Sequence, residues 1–373
     1  MKKGVKVLIA AGGSGGHIFP AIALARNLQE SRSGIDIRFI GSNKALDRRI
    51  FEKEGFKFSL ISSNKFPYKP SISLIPFFVK LKIDLVRTFF IMLSYRPDVV
   101  IGFGGYVSCP AILAAALFGI PRMVHEQNVV PGRANKLLFR FADKVGVAFD
   151  RTSLPEIAGA AAAKCVFTGN PARREVLKED RPAGIKRFGL DETKFTILVV
   201  GGSQGAHSVN AAFLGAMALT GKESRKDFQV IHLTGIKDYE WALKEYGAIG
   251  GLQSRVYSFV DRIEEAYSAA DLVITRAGAS AIFEAAYFGR PMILVPYPFA
   301  NAHQSENAAF FGDKGAALVI EERVLSAEVF KNNISMLFKD RAAAKKMGEA
   351  ARRLSVPDAS ERLAGEVLSL NER

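Results

Sequence analysis

The chain has only two cysteines, Cys109 and Cys165, far apart and set among apolar neighbours. That argues against a disulfide scaffold or a thiolate metal site, so both are read as small buried hydrophobes in a protein kept reduced. No stretch reaches the roughly 18 uninterrupted apolar residues of a membrane span. There is no zinc-finger spacing and no aromatic RNA-binding signature, so nucleic acid is not expected as a partner. Nor is there an Asp-x-Asp pair to chelate a divalent cation, so no metal or cofactor is expected. Acidic residues are the scarcer sign: 37 Asp and Glu against 51 Lys and Arg leave a formal charge of +14. Such a balance favours phosphates or an anionic membrane surface.

What is present is globular. A length of 373 residues with 49% apolar and 24% charged content predicts two soluble domains. Met1-Lys2-Lys3 runs into Val5–Ala11, which ends in a glycine loop and not at a small-residue cleavage site, so it reads as a first strand and not a signal peptide. Strand-like and helix-like segments then alternate, the pattern of α/β layers around parallel sheets. Strands are predicted at 5–11, 35–40, 98–101, 122–125 and 144–148, and again at 195–200, 228–233, 255–259, 271–275 and 291–295. Their Val, Ile, Leu and Phe content suits strands covered on both faces.

The two halves begin alike. Leu8-Ile9-Ala10-Ala11-Gly12-Gly13-Ser14 parallels Ile197-Leu198-Val199-Val200-Gly201-Gly202-Ser203. We read one unit used twice, giving two Rossmann-like domains, 1–167 and 168–356, with a break near Thr168-Gly169-Asn170-Pro171. Residues 357–373 form an amphipathic helix expected to pack back on the first domain.

Gly12-Gly13-Ser14-Gly15-Gly16-His17 follows a strand and opens a helix, which presents free amides and a positive helix end to an anion. The spacing is not G-x-G-x-x-G and lacks a P-loop Lys-Ser/Thr, so a dinucleotide or ATP site is disfavoured. A bare βα turn would account for the glycines. His17 at the loop edge adds a candidate base near neutral pH. Gly201–Ala206 is the equivalent loop of the second half, where Ser203 can hold a pyrophosphate; His207 is read as a helix-surface residue. Asp271–Pro296 reads as strand, small-residue loop, helix, turn, strand. The amides of Ala279, Ser280, Ala281, Ile282 and Phe283 can face phosphate, and Glu284 can accept two hydroxyls of a ribose.

Several motifs in one order carry a resemblance. Gly12–His17, His125-Glu126-Gln127-Asn128, Gly169-Asn170-Pro171-Ala172-Arg173, Gly201–Ala206, Arg276-Ala277-Gly278-Ala279 with Glu284, and His303-Gln304 span nearly the whole chain. On these the chain resembles the bacterial undecaprenyldiphospho-muramoylpentapeptide N-acetylglucosaminyltransferases. The resemblance implies a GT-B fold, two Rossmann-like domains whose parallel sheets face a cleft. It implies inverting transfer of N-acetylglucosamine from UDP-N-acetylglucosamine to the C4 hydroxyl of lipid I, giving lipid II for peptidoglycan synthesis. It places Ser203 on phosphate, Glu284 on the ribose, the Val260 backbone on uracil and Arg173 near the nucleotide. Gln304 and Asn128 would reach the transferred sugar, while Ser14, Gly15, Gly16 and His17 would face the acceptor. His17 is the first candidate base and Glu126 the second. Where the family often has Asp-Arg-Gln-Gln this chain has Asn301-Ala302-His303-Gln304, so only the last contact carries over.

Residues 74–93 are largely apolar, with Lys80, Asp84 and Arg87 on one helix face, and Lys44–Arg87 holds ten basic against four acidic residues. Such a segment suits a peripheral site on the cytoplasmic face of the cell membrane. The middle of the helix is expected in the core, with Ile72, Leu74, Ile75, Phe77 and Phe78 toward lipid. Cell-wall synthesis proteins are possible further partners. The rival readings are a UDP-N-acetylglucosamine 2-epimerase, a diacylglycerol glucosyltransferase, or a non-catalytic nucleotide-sugar-binding protein.

Overall fold

A computed structural model describes residues 4–62, 74–152, 163–173, 179–201, 205–299 and 303–372. The chain divides into two compact units, one running to Arg173 and resuming at Asp358, the other Arg174–Pro357.

The first unit opens with β1 (Lys6–Ala10), α1 (Gly15–Ser31), β2 (Asp36–Ser42), α2 (Ala45–Glu54) and β3 (Lys57–Ile61). It continues with α3 (Leu74–Tyr95), β4 (Val99–Gly102), α4 (Gly105–Leu117), β5 (Arg122–Glu126), α5 (Arg133–Leu138), β6 (Lys144–Val147) and β7 (Cys165–Phe167). The second unit holds α6 (Arg181–Phe188), β8 (Phe195–Val200), α7 (His207–Leu219), α8 (Lys222–Arg225), β9 (Phe228–Leu233), α9 (Tyr239–Ile249) and β10 (Gln253–Tyr257). Then come α10 (Ile263–Ala269), β11 (Leu272–Thr275), α11 (Ala279–Tyr287), β12 (Met292–Leu294), α12 (His303–Gly312), β13 (Leu318–Val319), α13 (Ala327–Lys339) and α14 (Arg341–Leu354). The last helix, α15 (Ala359–Leu370), belongs to the first unit.

Both sheets are parallel throughout. The first has the order β3-β2-β1-β4-β5-β6-β7, the second β10-β9-β8-β11-β12-β13. Successive side chains alternate faces. Val7, Ile9 and Phe39 pack with Ile18, Ile22, Leu28 and Phe51, while Leu8, Ile40, Val100 and Val124 pack with Ile112, Ala115, Leu138 and Met92. Helices on both faces explain why these strands read as continuous apolar runs. Leu363, Ala364, Val367 and Leu370 of α15 complete the first of those clusters.

The ten predicted strands are present with small shifts. The outer strand β10 forms two residues before the predicted span, half-buried along its length. Three strands are additional: β3, β7 and β13 lie at sheet edges, and only Ile61 among their residues is buried, too few for an apolar run. The first unit also extends past the predicted break. His125 Nε2 donates to the Gly169 carbonyl at 3.1 Å, and the Arg173 guanidinium lies 4.9 Å from the Phe19 ring centre.

Helix α3 corrects an expectation. Its middle does not lie in the core: Val79, Ile83, Val86 and Phe90 are exposed, continuous with Ile75, Phe78 and Leu93. The buried stripe is instead Asp84, Thr88, Met92 and Tyr95, at helical spacing. Asp84 is not solvated beside Lys80 and Arg87, because its Oδ1 accepts the Ser62 amide at 2.9 Å. Phe77 is half-buried, and Ile72 and the Leu74 side chain lie outside the described residues. No helix among the described residues is long and apolar enough to cross a membrane.

Candidate functional site

In an open parallel sheet, ligands bind beyond the carboxyl ends of the strands where the order reverses. Here that point falls between β1 and β4 in the first sheet, and between β8 and β11 in the second. The loops that follow those strands are the candidate site of each unit. A cavity of about 420 Å³ in the second unit lies at the opposite strand ends, and its Arg290 and Arg352 are engaged by Glu179.

The β1 loop is held from outside. Buried Asp47 accepts the Gly13 amide at 2.9 Å, the Ser42 amide at 2.8 Å and the Ser42 hydroxyl at 2.6 Å, while Lys44 donates to the Gly13 carbonyl at 2.8 Å. Ser14 is the N-cap of α1, and its carbonyl accepts the amides of His17 and Ile18 at 3.2 Å. Pro20 lies inside the helix and lacks the N–H that the Gly16 carbonyl would otherwise bond. The β4 loop arrives at the same place. A Cβ on Gly104 would lie 3.3 Å from His17 Cε1, and Gly104 has φ 89° and ψ −173°, a backbone region only glycine tolerates. Gly104 and Gly105 are therefore members of the site that sequence reasoning missed. The signal was available: Gly104-Gly105-Tyr106 follows a strand, opens a helix and is followed by Pro110, much as Gly15-Gly16-His17 is followed by Pro20.

His17 Nδ1 lies 3.1 Å from Gln127 Oε1. The Gln127 amide nitrogen reaches the Phe103 carbonyl at 3.0 Å, His125 Nδ1 at 3.1 Å and the His125 carbonyl at 3.2 Å. His125 is fully buried, and burial pushes its pKa down to about 4, so it is a neutral ring near pH 7.

Glu126 sits differently from the expected second base. It is buried, with Oε1 accepting the backbone and side-chain amides of Asn128 at 2.9 Å each. Its Oε2 accepts the Gly132 amide at 3.0 Å and the Asn135 side-chain amide at 2.8 Å. Four donors occupy the four lone-pair sites of a carboxylate. The geometry is that of a clamp on the Asn128–Gly132 turn, and it positions Asn128.

In the second unit, Gly278 caps α11, whose first turn holds Ala279, Ser280 and Ala281 with their amides at a helix start. The buried Ser280 hydroxyl has no hydrogen-bond partner among the described residues. The Ile282 and Phe283 side chains are in the core, which leaves them only backbone roles. Glu284 is half-buried and takes a hydrogen bond from the hydroxyl of fully buried Tyr267. Burial, and then Glu284, raise the Tyr267 phenol well above its ordinary value. Arg276 spans the loop base, paired with Glu322 and donating to Ser208 Oγ at 2.9 Å. Val260 lies in the irregular stretch after β10, and Gln304 Oε1 accepts the Tyr297 amide at 2.9 Å. Ser203, Asn301 and Ala302 lie outside the described residues. Among the described residues, no three His, Cys, Asp or Glu side chains are grouped to hold a metal ion.

Family models describe what the chain is similar to. The glycosyltransferase family 28 N-terminal domain matches residues 7–147 and the family's C-terminal domain matches 196–363. A Halothermothrix orenii protein named UDP-N-acetylglucosamine–N-acetylmuramyl-(pentapeptide) pyrophosphoryl-undecaprenol N-acetylglucosamine transferase is 38% identical, over 95% of each chain. A Geobacter sulfurreducens protein of the same name is 36% identical over 98% of each. The crystal structure of Acinetobacter baumannii MurG aligns with a TM-score of 0.75 at 29% identity, covering 98% of this chain and 99% of that one. A UDP-N-acetylglucosamine 2-epimerase structure aligns at 0.67 but is 16% identical, a likeness of fold alone.

Proposed function

The chain belongs to glycosyltransferase family 28, and from that premise we infer that it is an N-acetylglucosaminyltransferase of the GT-B fold. It moves N-acetylglucosamine from UDP-N-acetylglucosamine to lipid I, giving lipid II for the cell wall. The observation that carries this reading is identity to the named transferases along nearly the whole of both chains. The epimerase likeness has no such support. Purified protein incubated with radiolabelled donor and a short-chain lipid I analogue should release UDP and pass label to the lipid. UDP release without labelled lipid would sink the reading.

In the proposed mechanism, the acceptor C4 hydroxyl loses its proton to His17 as its oxygen attacks the anomeric carbon. The bond from that carbon to the β-phosphate oxygen breaks, and UDP leaves with the electron pair. Amides at the start of α11 and in the loop after β8, with the Ser280 and Ser203 hydroxyls, hold the developing charge. Glu284 fixes the ribose, the Val260 backbone reads uracil, and Asn128 and Gln304 reach the sugar. Gln304 Oε1 accepts the Tyr297 amide, which holds the side chain with its NH₂ group available to donate to the sugar. Arg173, whose guanidinium lies 4.9 Å from the Phe19 ring centre, is the further proposed nucleotide contact. No metal enters this scheme. Turnover is expected to persist in excess EDTA, and loss on chelation with recovery in Mg²⁺ would contradict it.

The exposed apolar face of α3 is the proposed contact with an anionic cytoplasmic membrane surface. Phe78 and Phe90 are 56% and 62% exposed. Burying a phenyl side chain is worth roughly 1.5–3 kcal/mol. Replacing both with serine is therefore expected to lower partitioning onto anionic vesicles by about ten-fold or more. Raising salt should weaken what remains, because screening shortens the basic attraction to about 8 Å at physiological ionic strength. A folded double variant that sediments with vesicles like the wild type would place attachment elsewhere.

A further inference from the structure

We propose that Gln127 is a positioning residue that locks His17 in one tautomer, with the proton on Nδ1 and the lone pair on Nε2. The inference rests on the reading of His17 as the base, and it names the device that makes the ring ready.

The chain of partners admits one assignment. A carbonyl only accepts, so His125 Nε2, 3.1 Å from the Gly169 carbonyl, must carry the proton. The other nitrogen of that neutral ring, Nδ1, then accepts from the Gln127 amide nitrogen at 3.1 Å. The same nitrogen faces the Phe103 and His125 carbonyls at 3.0 Å and 3.2 Å. Turning the amide over would set its oxygen against two carbonyl oxygens and leave buried groups unpaired. Gln127 is 2% exposed, so water cannot rescue the flipped form. Its Oε1 must therefore face His17, and an amide oxygen only accepts. His17 Nδ1 is the donor, and in the neutral ring Nε2 holds the lone pair.

The ring is also hemmed in sterically. The Gly104-Gly105 backbone lies along its edge, with the Gly104 Cβ position 3.3 Å from Cε1 and that of Gly105 3.7 Å from Cδ2. A neutral imidazole in water prefers its proton on Nε2, so the protein selects the less common form. The selector is an uncharged amide, which fixes the tautomer without adding an anion to favour the imidazolium.

Nitrogen-15 NMR of the full-length protein tests this directly, because only five histidines need assignment. His17 is expected to show a protonated Nδ1 and a bare Nε2. In Gln127→Leu the population should move toward Nε2–H, with kcat falling about 10- to 100-fold while both KM values stay within about two-fold. Finding His17 as Nε2–H in the wild type would overturn the proposal, as would a folded Gln127→Leu that keeps Nδ1–H. If that variant does not fold, the wild-type spectrum decides. Full activity in His17→Ala would instead sink the base assignment and leave the tautomer result standing.

Discussion

Replacing His17 with alanine is expected to lower kcat by roughly 10²–10⁴-fold, the usual size of a lost general base, with little change in UDP-N-acetylglucosamine affinity. The expectation rests on position. His17 stands in the first turn of α1, at the point where the loops after β1 and β4 converge, and its ring is braced by Gln127 and the Gly104-Gly105 backbone. The brace leaves Nε2 as the nitrogen able to take a proton. His17→Asn keeps a polar group of similar reach without a usable base, so it should lose as much. Steady-state kinetics with both substrates varied separates the possibilities. A small kcat loss with a large rise in acceptor KM would make His17 a binding residue. The base could not then pass to Glu126 as it stands, because that carboxylate already accepts four hydrogen bonds.

Glu284→Ala should weaken donor binding by about 100-fold or more, since two ribose hydrogen bonds to a charged acceptor are lost at roughly 1.5–3 kcal/mol each. The substitution also removes one of two acceptors of the buried Tyr267 hydroxyl, the other being the Ala281 carbonyl at 3.5 Å, so stability should fall by about 1 kcal/mol. A melting curve must accompany the titration for that reason. Glu284→Gln keeps an oxygen for Tyr267 and loses only the charge, so its affinity should fall between the wild type and alanine. Calorimetry showing unchanged affinity in a folded Glu284→Ala would remove the residue from the site.

Much of this was legible in the sequence because it is local. Strands buried on both faces leave runs such as Phe195–Val200, every residue of which is buried, and these need no knowledge of what covers them. The glycine loops announced themselves by following a strand and opening a helix, and the order of motifs from Gly12–His17 to His303-Gln304 carried the family. The outer strands β3, β7 and β13 stayed hidden, because an edge strand that buries almost none of its residues has no apolar run to show. The exposed face of α3 was hidden for a related reason. An apolar helix reads the same whether its stripe meets a core or a solvent boundary, and burial of Asp84 depends on the Ser62 amide being there to meet it.

Only the tertiary structure decided which loops share a site. Crossover connections place β4 beside β1, and that brings Gly104 against His17 although the chain from β1 to β4 passes through two other strands and three helices. It also decided what each polar group is for. Glu126, Gln127 and Asp47 are ordinary acidic and amide residues in the sequence. Their roles as turn clamp, tautomer lock and loop anchor follow from which partners lie within 3 Å or so: for Glu126 the amides of the turn and helix that follow it, for Gln127 and Asp47 groups of distant segments. Apolar periodicity encodes burial, which is a property of one segment and its solvent. A hydrogen bond has direction and needs two atoms in register, so its identity is fixed only when the sheet order has brought both segments to the same edge.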